Sequence, residues 1–535
     1  MRYSSTTVGE HRYRAETEQE LSDPAGVVVV VPSEAAHPVR AHGALRVADD
    51  RRHFEHADGT PFLWLADTWW DGFTRRVTIE QFRELAAQRA KQGFSVIQIV
   101  AGLYPEMAPF APEGDSASGW VWDDGFTAPS PAWFDEADGR VVELVGQGLV
   151  PCIVGAWGFY VQQMGTEKML RHWRELIARW GAYPVVWCLA GELPAVEHEL
   201  MRAAASKFER GNLKPRDLLG VLGRQISMKV WRRGRSRSFP DSAGIAALLG
   251  LGPVVADQVG KWNEVLRGVR KMEPFGRVLT VHSQPNWPPY ELVEDDNLID
   301  FWMLQTGHSG IYSLAPSVNQ VIDATAQRPT KPVLVGEVDY EGILGSSGPE
   351  MQRFLFWSHL LSGTAGHTYG AQGVWGFNTP EYRGGVGGRW NEATWRQAAA
   401  LPGATQVGIG RQILLELPWE RFESHPEWVK PHQRPKDRIQ PYAAGVTGGP
   451  RVIYFPVAGL VRDSLGFHTV ELRDLGRRPW QGQFVNPRTG AREPTFVISP
   501  TVDGTFILNG GIGGPLPSKE DWVLLLEQDA RCSAG

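Results

Sequence analysis

Two glutamates in this chain stand in the same local setting. The apolar run Pro184 to Ala190 (PVVWCLA) passes through Gly191 into Glu192, and the run Pro332 to Val335 (PVLV) passes through Gly336 into Glu337. Short apolar runs of this kind read as buried strands, so each carboxylate is expected to project from the C-terminal end of a strand. A glycine just before it is expected to let the backbone come close to a ligand. Paired carboxylates in one mouth are what glycoside hydrolysis requires: one protonated, to give its proton to the leaving oxygen, and one ionised, to attack the sugar or to activate water. A gap of about 5–5.5 Å makes the second group a nucleophile and retains configuration, whereas about 6.5–9.5 Å admits a water and inverts it. The residues alone leave both open. A single glutamate at a strand end is most often a solvated loop residue; it is the repeated Gly-Glu ending that points to chemistry.

The elements that must hold this pair follow a regular rhythm. Phe62 to Ala66 (FLWLA) reads as a strand, followed by a helix capped by Thr78 with Gln81 in capping-box position and stopped at Gly93. Phe94 to Val100 is a second strand, and Ser130-Pro131 opens a helix ending at Gly148. Leu149 to Gly155 is a third, with a helix from Thr166 to Gly181 leading into the fourth at Pro184. Arg277 to Ser283, Ile299 to Leu304, Pro332 to Gly336 and Gly366 to Gly370 bring the count to eight. Strands alternating with helices predict an α/β fold, a (β/α)8 TIM barrel, whose reactive groups sit at the C-terminal strand ends. Residues 1–40 read as an extended lead-in and 41–418 as the catalytic barrel, with a hairpin turning at Asp58-Gly59 and a helix from Trp395 to Leu417. A helical insertion at 194–275 is rich in Lys and Arg between Lys207 and Arg237, a solvated surface or, more sharply, a lid favouring acidic glycans. Val452 to Pro456, Thr469 to Arg473, Gly482 to Asn486, Thr495 to Ser499 and Trp522 to Leu526 predict a small antiparallel β-sandwich over 419–535.

Other strand ends supply expected substrate contacts. Asp67, beside Trp69 and Trp70, is placed to bind sugar hydroxyls next to an aromatic platform, with a structural aspartate as the equal alternative. His282 is placed to hydrogen-bond the nucleophile, and Trp157, Gln305, Tyr369 and Trp375 to line the mouth. Glu106 is a further carboxylate, read first as a loop residue.

Composition narrows the classes. A chain of 535 residues is long enough for a barrel plus an accessory domain. Its 22 tryptophans suit sugar faces, although most read as core. A net charge of −6 gives no reason to expect nucleic acid as a partner. Cys152, Cys188 and Cys532 are too scattered for a disulfide framework or a metal site, and no cofactor is expected. No HExxH motif and no strand-end lysine for a Schiff base occurs. The first 30 residues lack a secretory pattern and no apolar run is long enough to cross a membrane, so a cytoplasmic location is the default expectation.

The runs LWLADTWW (Leu63 to Trp70), WCLAGE (Trp187 to Glu192), VGE (Val335 to Glu337) and SGTAGHTYGAQGVW (Ser362 to Trp375) resemble the apiosidase-like barrel family over most of the chain. FVNPRTG (Phe484 to Gly490) is similar to the start of the β-domain that commonly follows such barrels, sometimes described as collagen-binding, a label that carries no functional weight. The resemblance implies a retaining exo-glycosidase that releases a terminal sugar, a furanoside such as apiose or arabinose, with acid/base Glu192 and nucleophile Glu337. Two positions depart from the pattern. Gly191 stands where the larger clan of barrel hydrolases usually has asparagine, which bears on recognition of a sugar 2-hydroxyl; Glu192 stands where apiosidases can use aspartate, which bears on apiose itself. An inverting glycosidase using the same pair and a non-catalytic carbohydrate-binding barrel are the alternatives.

Overall fold

The apolar runs become eight parallel strands: β1 (Trp64–Thr68), β2 (Val96–Val100), β3 (Val150–Val154), β4 (Val186–Cys188), β5 (Leu279–Thr280), β6 (Trp302–Gln305), β7 (Val333–Glu337) and β8 (Gly366–Tyr369). Every residue in them is buried. Helices cover one face and packed side chains fill the other, which is why the strands read as unbroken apolar runs rather than as alternation. The order is β5-β4-β3-β2-β1-β8-β7-β6, and a parallel bridge between His282 and Met303 brings the two edges together. This is the expected (β/α)8 barrel. The computed structural model describes residues 8–14, 25–31, 41–195, 252–285, 287–382, 393–457, 469–508 and 516–528; the basic stretch from Lys207 to Arg237 lies outside them.

Local signals set the helices. Thr78 and Gln81 form the reciprocal capping box that opens helix Ile79–Lys91, and Ser130 caps Pro131–Gly146 by accepting from the Trp133 amide. The helix Tyr160–Trp180 is broken at Gly165, whose φ of 76° is open to glycine, so Thr166 does start a helical stretch. The expected single helix from Trp395 to Leu417 is two, Trp395–Ala399 and Pro402–Leu415, because Pro402 disfavours helical backbone at Leu401 and opens a new first turn. The predicted hairpin is a three-stranded sheet of Leu45–Val47, Phe54–His56 and Pro61–Phe62, and the Asp58-Gly59 turn joins its second and third strands. In the lead-in, Gly9–Arg14 pairs antiparallel with Ala25–Val30.

Beyond the barrel, two antiparallel sheets share an apolar core that includes Trp428, Ile453, Phe455, Trp480 and Leu524. One of them docks on the barrel helix Pro349–Leu360. Arg353 forks onto Asp521 at 2.6 and 3.0 Å, Arg488 reaches the same carboxylate at 2.9 Å, and Trp357 stacks on Tyr454 with ring centroids 6.0 Å apart. Arg353 and Asp521 are buried, so each depends on the other to offset its lost hydration. Replacing Asp521 with Asn is expected to destabilise the protein by about 3–5 kcal/mol, the cost of a buried charge deprived of its partner. Calorimetry reads this directly: an unchanged thermal midpoint would mean that aromatic stacking alone holds the dock.

Candidate active site

Glu337 is the last residue of β7 and only 4% exposed. Its Oε1 lies 2.6 Å from His308 Nε2, and its Oε2 lies 3.3 Å from His282 Nε2 without the alignment of a full hydrogen bond. The Tyr340 hydroxyl accepts from Trp70 Nε1 at 3.0 Å and interacts with the same carboxylate. Burial alone would push the Glu337 pKa up; the close approach of His308 and His282, and the charge each ring carries when protonated, outweigh it and bring it down to about 2. The group is therefore an anion at every ordinary pH.

Glu192 follows β4, where bridges from Trp157 to Gly191 and from Leu193 to Ser283 prolong the sheet. Gln305 Nε2 donates to its Oε1 at 2.8 Å and Trp157 Nε1 to its Oε2 at 3.3 Å. Its backbone N–H donates to His282 Nδ1 at 3.2 Å. A ring nitrogen that accepts carries no proton, so neutral His282 holds its proton on Nε2, toward Glu337. One imidazole thus spans the two glutamates. Trp70 and Trp157 wall this space, with ring centroids 5.5 Å apart and 5.8 and 6.2 Å from His282.

Glu192, Glu337, Trp70, Trp157, His282 and Gln305 thus come together as expected from their strand ends. Three other residues expected to contact substrate do not join them. β1 runs on through Thr68, which puts Asp67 inside the strand rather than after it, facing the helix layer. There Asp67 Oδ2 accepts from Arg89 Nε at 2.6 Å and Trp69 Nε1 at 2.8 Å, and Oδ1 from the Thr68 amide at 2.9 Å. Both oxygens are spent, and the structural reading of Asp67 replaces the sugar-binding one. Trp69 packs edge-on against Phe82 and Phe377 with no exposed surface, so it is core and not a platform. Tyr369 is closed off by its 2.5 Å bond to Glu341. Trp375 lies beyond the end of β8, where its indole donates to Gln372 at 2.9 Å. Glu106 lies in an exposed loop.

The glycines act differently from expectation. A Cβ on Gly191 would stand 2.3 Å from the Trp157 ring, and one on Gly336 would stand 2.5 Å from Met303 Cγ. The close approach is to protein side chains, and the left-handed backbone belongs to Glu192 itself, at φ 49°. His308 and Tyr340 are the contacts that sequence reasoning missed. One signal was present: Val338-Asp339-Tyr340-Glu341 continues a strand end with polar residues that turn out to be buried.

Among the described residues, no group of three or more His, Cys, Asp or Glu is arranged to hold a metal ion, and no helix is long and apolar enough to cross a membrane. A family model described as apiosidase-like, catalytic domain, matches residues 48–421. No curated protein matches the chain. A solved structure described as a glycoside hydrolase superposes with a TM-score of 0.68 at 18% identity, over 93% of this chain and 99% of that one. A glycoside hydrolase family 5 protein from Bacteroides vulgatus gives 0.67 at 18% identity, over 92% and 95%. At such identity the likeness speaks for the fold, which extends through the C-terminal sheets. The family match covers the whole barrel, both glutamates included: the chain belongs to the apiosidase-like family and is a glycosidase.

Proposed function

We propose that the protein is a retaining exo-glycosidase acting on a terminal furanoside such as apiose or arabinose, with Glu337 as nucleophile and Glu192 as acid/base. The observation that carries this assignment is the unequal setting of the two acids. Glu337 is buried among two imidazoles and a phenol that favour its anion. Glu192 is half-buried, and its side chain receives neutral donors from Trp157 and Gln305. Two carboxyl groups with such different surroundings divide naturally into an anion that attacks and an acid that donates.

In the first step Glu337 attacks the anomeric carbon as Glu192 gives its proton to the leaving oxygen. The product is a glycosyl ester on Glu337. In the second step Glu192, now a carboxylate, takes a proton from water, which attacks the same carbon and frees Glu337. The terminal-sugar specificity follows the family.

Two predictions follow from the unequal acids. Because the Glu337 pKa is lowered from its ordinary 4.5 to about 2, the nucleophile stays ionised and the acid limb of kcat/KM lies well below pH 4.5. The alkaline limb reports loss of the proton from Glu192. A pH profile with its acid limb at 4.5 or above would contradict the assignment of Glu337.

Replacing Glu337 with Ala is expected to stop turnover, with azide restoring it and giving a glycosyl azide of inverted configuration. Replacing Glu192 with Ala removes the alkaline limb and slows substrates with poor leaving groups by about 10²–10⁴-fold, the usual share of a general acid. NMR of the first-formed wild-type product decides the stereochemistry: an inverted anomer refutes retention. Inverted azide product from the Glu192 variant, with none from the Glu337 variant, would exchange the two roles.

A further inference from the structure

We propose that His308, backed by Asp339, is a positioning residue that clamps Glu337 as an imidazolium, fixing its charge and leaving Oε2 as the oxygen that attacks. The proposal rests on the reading of Glu337 as nucleophile and goes beyond it.

His308 lies in the loop after β6, its ring 4.5 Å from that of Tyr340. The 2.6 Å contact from Nε2 to Glu337 Oε1 is shorter than a neutral N–H to oxygen bond usually is, the direction in which charge assistance shortens it. Asp339 is close enough to interact electrostatically with the ring. Its Oδ1 accepts from the Gly310 amide at 2.9 Å, which ties the loop that carries His308 to the end of β7. Among the described residues, two loose ends remain: His308 Nδ1 and Asp339 Oδ2 are buried without hydrogen-bond partners.

The charges around the ring decide its state. Glu337 and Asp339 face it from the end of β7, Glu192 from the end of β4, and Tyr340 lies against it. His282 is the other base at Glu337, and its Nδ1 already accepts from Glu192. Burial would lower the His308 pKa, but the bond to Glu337 and the charges of Glu337 and Asp339, joined by Glu192 when it is ionised, raise it above its ordinary value. The shift favours the protonated ring, in which both nitrogens are donors.

The consequence concerns the two oxygens of Glu337. Oε1 is committed to His308, whereas Oε2 has the unaligned approach of His282 at 3.3 Å, and Tyr340 also interacts with the carboxylate. Oε2 is the oxygen with a lone pair to give to the anomeric carbon. When it forms the ester, Glu337 loses its negative charge and the imidazolium loses its main partner, so the proton affinity of His308 falls in the covalent intermediate.

The experiment has two arms on the full-length protein. In the first, 15N-histidine NMR follows the imidazole titrations in wild type, H308Q, E337Q and D339N, with H308Q assigning the signal. His308 is expected to titrate above 6.5 in wild type, well below that in E337Q, and in between in D339N. A wild-type midpoint at or below 6.5, or one that E337Q leaves unmoved, overturns the clamp. This arm needs no substrate, so it stands even if no glycoside is cleaved, in which case the functional reading and not the clamp has failed. The second arm is kinetic. H308Q keeps a donor but removes the charge, and the acid limb of kcat/KM is expected to rise by about 1–3 pH units, the usual effect of a neighbouring opposite charge on a carboxylate. Free imidazole is expected to restore part of the activity lost in H308A. A drop in kcat with an unmoved acid limb would make His308 merely structural.

Discussion

The constraint on which this structure turns is the burial of one negative charge at the end of β7. An isolated carboxylate moved out of water into a protein interior costs many kcal/mol and ordinarily takes up a proton instead. Glu337 remains an anion because His308 arrives from the loop after β6, His282 from the end of β5, and Tyr340 from the loop after β7. Trp70, from the loop after β1, holds the Tyr340 hydroxyl in turn. These elements are distant in the chain and adjacent only because the strands close into a ring. The barrel is thus the device that makes this charge tolerable, and the ring closure at His282 and Met303 passes directly through the residue that spans both glutamates.

Three acids that hold the fold have their oxygens occupied. Asp67 has both oxygens occupied, by Arg89 and Trp69 on one side and a backbone amide on the other. Asp521 takes two arginines and the Tyr454 hydroxyl, and Glu341 takes Tyr369 together with the Gly403 amide. Each is saturated, as a buried structural charge must be. At the mouth, Glu337 Oε2, Gln305 Oε1, Thr306 Oγ1 and His308 Nδ1 are buried and lack a hydrogen-bond partner. Unspent polar atoms are costly in a protein interior, and those beside Glu337 are groups that a ligand's hydroxyls could satisfy.

The strands were legible because a sheet buried on both faces must be apolar throughout, and the first helices because Thr78 with Gln81 and Ser130 with Pro131 carry their caps in the sequence. The glutamate pair was legible through its repeated Gly-Glu ending. Asp67 was misjudged because β1 runs two residues beyond its apolar run, so that Asp67 lies inside the strand, where the alternation of side chains turns it to Arg89 in the helix layer. His308 escaped notice for a different reason. Its contact depends on how β6 and β7 are paired, and there the register slips between Leu304 and Gln305 so that Gln305 stands opposite Glu337. No local pattern encodes such a shift.

Position 191 shows how one departure from the clan pattern is accommodated. The asparagine usual in the larger clan would need space that the Trp157 ring occupies, since even a Cβ would stand 2.3 Å from it. Glycine lets that ring close over the backbone, and the same indole donates to Glu192 Oε2. Glu192 then takes the left-handed backbone itself, an unfavourable state for a residue with a side chain and one that persists only where its surroundings enforce it. What enforces it includes the amide bond to His282 Nδ1, and that bond also selects the tautomer whose Nε2 proton faces Glu337. The strain at the one acid is thereby coupled through a single ring to the charge on the other, and the missing side chain at Gly191 is what makes room for the arrangement.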